Sequence, residues 1–80
     1  MKTLKMKTAE QMFEELGYVK EDIDYYIVYF ERRNPQNYII FRHQKVEFPT
    51  ENGLGYKIIN SRLMKVIYMQ MEELGWIENA

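Results

Sequence analysis

The sequence predicts an α+β domain of order α-β-β-β-α, an antiparallel three-stranded sheet with two helices packed on one face. Three observations lead there. Residues 8–17 and 60–75 space their apolar side chains by three and four, the signature of amphipathic helices, and close on the near-identical segments EELGY and EELGW. The stretch between them changes to β-branched and aromatic residues with a period of two. The connections inside that stretch are too short for the crossover that parallel strands require, so neighbouring strands run antiparallel.

Thr8 is suited to cap the first helix, with Gln11 placed to complete a capping box. Ala9, Met12, Phe13 and Leu16 then form one apolar face, opposite Glu10, Glu14 and Glu15. Gly17 ends the helix, because glycine enters the left-handed conformation of a Schellman cap without steric penalty, and Tyr18 can pack back on the last turn. Asn60 starts the second helix in the same way; its expected stripe is Leu63, Met64, Ile67, Met71 and Leu74, closed by Gly75 and Trp76. EELG-aromatic is therefore read as helix-ending chemistry with exposed glutamates, rather than a catalytic carboxylate pair, which would need an apolar pocket to raise a pKa.

IDYYIVYFE at residues 23–31 reads as one long strand, YIIFR at 38–42 as a second and KVEF at 45–48 as a third. Asn34-Pro35 marks the first turn, Pro49 ends the third strand, and a further short strand is conceivable at residues 56–59 after the NGLGY turn. The long strand is apolar on both faces: Ile23, Tyr25, Ile27 and Tyr29 on one, Tyr26, Val28 and Phe30 on the other. Two helices cover one face of such a sheet well and both only thinly. Phenol hydroxyls require water or a hydrogen bond, so the set with Val28 and Phe30 is assigned to the core. Tyr25, Ile27 and Tyr29 become the candidate interface.

Eighty residues make one domain, residues 1–80, with residues 1–7 expected to be a flexible basic N-terminal segment. A core of this size supplies only about 3–5 kcal/mol unless something staples it. With no cysteine there is no disulfide and little prospect of a zinc site, which leaves oligomerisation. No segment has the length and apolarity of a membrane span, and Lys2, Lys5 and Lys7 are not followed by the apolar run of a secretory signal, so a cytoplasmic location is the expectation. The net charge of −1 alternates by segment: basic at residues 1–7, acidic at 10–24, basic at 31–65 and acidic at 72–78.

The catalytic repertoire is thin. His43 and Ser61 are each the only residue of their type, so no nucleophile, base and orienting group assemble, and the glycines of NGLGY lack the pattern of a phosphate-binding loop. No catalytic, metal or cofactor residues are assigned, and the chain is read as a non-enzyme. A rival reading uses the basic middle: Arg32, Arg33, Tyr38, Arg42 and Lys45 as a weak surface for single-stranded nucleic acid, where aromatics stack bases and cations meet phosphates.

A capped helix ending in FEELGY, a meander containing IIF and a final helix ending in QMEELGW together resemble small uncharacterised proteins encoded by phages and prophages of Gram-positive bacteria. Residue 60 is Asn where that group tends to have Thr or Ser, which preserves a cap. The resemblance implies an accessory role in phage or mobile-element biology and carries over no catalytic residue. The functional expectation is a protein-interaction module that binds an unknown protein or a second copy of itself.

Overall fold

Each helix begins and ends where its capping chemistry dictates. The computed structural model describes residues 7–50 and 57–77. Within them α1 (Ala9–Glu15) is followed by β1 (Tyr18–Ile23), β2 (Tyr26–Glu31), β3 (Tyr38–Arg42), β4 (Lys45–Glu47) and α2 (Ser61–Glu73). At α1 the Thr8 hydroxyl accepts from Gln11 N–H while Gln11 Oε1 accepts from Thr8 N–H. At α2 Asn60 Oδ1 accepts from Leu63 N–H. Gly17 and Gly75 take φ of +93° and +78°. After α2 both Schellman bonds form, Gly75 N–H to Glu72 C=O and Trp76 N–H to Met71 C=O.

The α+β class stands, but the sheet has four antiparallel strands in the order β1-β2-β3-β4. The expected strand 23–31 is in fact the end of one strand, a two-residue turn at Asp24 and Tyr25, and a second strand. Asp24 takes a φ of 49°, a conformation that a short polar side chain tolerates better than most. The other hairpin turns at His43 and Gln44, both with positive φ, the pattern of a type I′ turn built without glycine. Lys57 to Asn60 form no strand, and Tyr56, the NGLGY turn and most of the expected flexible N-terminal segment lie outside the described residues.

The face assignment is inverted. Across a two-residue turn Ile23 lies opposite Tyr26, so Ile23 shares a face with Tyr26, Val28 and Phe30 rather than with Ile27 and Tyr29. The helices cover the other face. Phe13, Tyr18, Tyr29, Ile39, Phe41, Leu63, Val66 and Ile67 form the core, with Ile27, Val46 and Trp76 packed at its margin. Tyr29 is fully buried, its ring stacked on Phe13 at 3.8 Å between centroids and 18° between planes, with Phe41 edge-on at 5.9 Å. The Tyr29 phenol lies on the inner face, against expectation, because α2 brings it an acceptor: Tyr29 OH donates to Gln70 Oε1 at 2.5 Å, and Gln70 is itself only 4% exposed. The buried line of α2 accordingly runs Leu63, Val66, Ile67 and Gln70, while Met64 and Leu74 of the expected stripe stay exposed.

The two helices are tied by Glu73, whose carboxylate accepts the N–H of Ala9 at 2.7 Å. One of the unpartnered donors of the first turn of α1 is thus satisfied by the last turn of α2. This glutamate of the EELG segment has a structural task that its position on an exposed last turn concealed.

An alanine at Gly75 would meet no atom within 4 Å, so its cost is backbone strain alone. Gly75→Ala should lower the urea-unfolding free energy by about 1 kcal/mol with an unchanged m-value. Glu73→Ala should cost a comparable amount, about 1 kcal/mol, while Glu72→Ala is nearly silent.

Burial, and then the surrounding carboxylates of Glu10, Glu73, Asp22 and Glu14, hold the Tyr29 phenol far above its ordinary pKa of 10.0. Below pH 10 the phenol is neutral in both states and contributes no slope. Above it the unfolded chain ionises first, so stability should fall by up to about 1.4 kcal/mol per pH unit from this group. Chemical denaturation between pH 9 and 11 checks this, and Tyr29→Phe should remove that part of the slope. At neutral pH Tyr29→Phe and Gln70→Leu should each cost about 1–3 kcal/mol, with the double variant well short of additive because no polar atom is then stranded.

Candidate functional site on the uncovered sheet face

Side chains alternate between the two sides of the sheet along each strand, and the side away from the helices is largely apolar. Val19, Glu21 and Ile23 come from β1, Tyr26, Val28 and Phe30 from β2, Tyr38, Ile40 and Arg42 from β3, and Lys45 and Glu47 from β4. None of these belongs to the core cluster. The apolar members are only partly buried, and that by one another. Between them runs an open groove of about 520 Å³, lined by Glu21, Ile23, Tyr26, Val28, Phe30, Pro35, Tyr38 and Ile40. Pro35 reaches it from the β2–β3 loop, which Asn37 holds by donating its side-chain amide to the Glu31 carboxylate at 3.0 Å and accepting the Glu31 N–H at its backbone carbonyl at 2.9 Å.

The floor is arranged in rows. Glu21, Val28, Ile40 and Glu47 lie level, as do Val19, Phe30 and Tyr38. At the end with the two hairpin turns, Arg42 lies over the Tyr26 ring at 5.1 Å and donates to Glu47 at 3.1 Å. At the opposite end Lys57 donates to the Tyr38 carbonyl at 2.8 Å, where burial lowers its pKa against the pull of Glu31. The arrangement suits large apolar side chains in the middle and charged groups at the rim, the anatomy of a protein interface. His43 is exposed in its turn, and among the described residues no three His, Cys, Asp or Glu side chains converge as a metal site. No described helix is long and apolar enough to cross a membrane.

The candidate interface named from sequence is dispersed. Tyr29 is in the core, Ile27 packs against it, and Tyr25 is 94% exposed in the β1–β2 turn. The apolar residues left outside the helix-covered core belong to the opposite parity set. Of the rival nucleic-acid set, Tyr38, Arg42 and Lys45 share the uncovered face, but Arg32 and Arg33 lie in the β2–β3 loop at the far end of the sheet from Arg42 and Lys45. Four strand residues separate those ends, about 13 Å. Arg42 is moreover already engaged by Tyr26 and Glu47. The missed residues are chiefly Val19, Ile23, Val28, Phe30 and Ile40, and the signal that could have found them is Asp24, the one turn-forming residue in IDYYIVYFE. In comparisons with known proteins, the chain matches no family model, no curated protein and no solved structure.

Proposed function

We propose that this chain is a non-enzymatic interaction module that docks a protein on the uncovered face of its sheet, in an accessory role of the kind its resemblance to phage and prophage proteins implies. The observation that carries this reading is the continuous apolar floor of Val19, Ile23, Tyr26, Val28, Phe30, Tyr38 and Ile40 on the side away from both helices. Scattered apolar residues are normal on any surface, but a contiguous aromatic and aliphatic patch with a charged rim marks a docking site. Single-stranded nucleic acid is the weaker reading, because the cations it needs are split between two ends of the sheet.

A photo-cross-linking side chain at position 28 or 40, expressed in cells, should yield discrete protein adducts, whereas the same group at the exposed Arg62 of α2 should yield none. Adducts formed only within the chain itself would overturn the reading. Micromolar binding of a single-stranded oligonucleotide at physiological salt, lost in an Arg32→Ala, Arg33→Ala, Arg42→Ala triple variant, would replace it with the nucleic-acid one.

A further inference from the structure

The groove on the uncovered face has a direction. Its lining follows β2, from Ile23 and Tyr26 at the turn end, past Val28, to Tyr38 and Pro35 at the loop end. Because β1 and β3 flank it, the groove spans two strand spacings, about 10 Å, and the length of β2 makes it about 20 Å long. That width matches one α-helix, and that length takes about thirteen helical residues. Charge then separates the two ends. Arg32 follows Phe30 in the alternation of β2, its N–H still meeting the Gly17 carbonyl at 2.8 Å as the ladder would, and Arg33 is exposed beside it. Among the described residues no carboxylate pairs with either arginine. Lys57 adds a third cation at that end through its bond to the Tyr38 carbonyl, while Glu31 lies on the helix side of the sheet and accepts the Asn37 amide. At the turn end the signs balance, since Arg42 is held by Glu47, and Asp24 and Lys45 supply one charge of each sign. Glu21 borders the middle from β1.

Resting on the docking reading of this face, we infer that the occupant of the groove is an amphipathic α-helix of a partner protein, laid along β2 with an acidic end over Arg32 and Arg33. A helix is the element that the layer rules place on an apolar sheet face, and its stripe at i, i+3, i+4 and i+7 matches a floor of this length. Carboxylates suit the arginine end, because guanidinium groups hold them in charge-assisted, often bidentate hydrogen bonds. Glu21 confines the acidic residues of the helix to that end. The helices of this chain itself already pack their apolar stripes on the inner face. A second copy meets a charge conflict: the register sets Glu21 level with Glu47, so a two-fold axis along the strands lays carboxylate on carboxylate, and an axis across them at that level lays each on its own copy. A nucleic-acid backbone requires cations along its track, and the floor between the two ends is apolar.

Fluorescence anisotropy of the full chain with labelled helical peptides of about fourteen residues tests this. Each peptide carries one leucine stripe on an alanine and glutamine background, with helicity held equal by a hydrocarbon staple on the outer face; one end bears glutamates, glutamines or lysines. At low salt the glutamate peptide should bind about tenfold or more tighter than the lysine peptide, with the glutamine peptide between them and the gap narrowing in high salt. Arg32→Glu combined with Arg33→Glu should reverse that order. Val28→Lys should weaken all three peptides, with circular dichroism confirming that both variants are folded. Equal affinity for the three peptides, an order that the arginine variant leaves unchanged, or no binding of any would overturn the inference. If position 28 then still cross-links another protein, the docking reading stands without it. Sedimentation at the mass of two chains, lost in Val28→Lys, would put a second copy in the groove instead, and displacement of the glutamate peptide by a single-stranded oligonucleotide at physiological salt would put nucleic acid there.

Discussion

A single buried hydrogen bond, Tyr29 OH to Gln70 Oε1, decides the orientation of this fold. A phenol at the centre of a small core is costly unless its hydroxyl is paired, and an unpaired glutamine amide is costlier still. Each makes the other tolerable. With the pair formed, the Tyr29 ring can stack on Phe13 and receive Phe41 edge-on, and the core becomes a cluster of aromatics bridging both helices and the two central strands. Because side chains alternate along a strand, burying Tyr29 commits Val28 and Phe30 to the other side.

That commitment leaves a sheet with two apolar faces and helices for only one. Glu73 and Ala9 lock the helices together at one corner, and α1 runs directly into β1 through Gly17 and Tyr18, whose ring packs on Phe13 at 5.7 Å. Layer architecture on the helical side is thus closed among the described residues. Among the described residues the opposite face keeps Tyr26, Val28, Phe30 and Ile40 without a helix above them.

The charge distribution gains meaning only against this frame. Along the chain, acidic residues at 10–24 and basic ones at 31–65 are simply consecutive blocks. Folding sets Glu21 and Asp24 in one hairpin and Arg42, His43 and Lys45 in the next, with Arg42 spanning Tyr26 and Glu47. A uniformly basic surface fit to track a nucleic-acid backbone does not arise, since Arg32 and Arg33 are carried to the other end by the run of β3.

The sequence by itself determined what is local. Thr8 with Gln11, Asn60, Gly17 and Gly75 delimit the helices because each supplies or permits one specific backbone interaction within a few residues. YIIFR and KVE are legible as strands for the same reason, as is the two-sided apolarity of residues 26–31. The turn at Asp24 and Tyr25 was concealed because β-branched and aromatic residues surround it without a glycine, and a two-residue connection reverses parity between Ile23 and its successors. Which face of β2 the helices cover was settled only in three dimensions. The deciding partner, Gln70, lies forty-one residues from Tyr29, and nothing local distinguishes a glutamine that will meet a buried phenol from one that will face water.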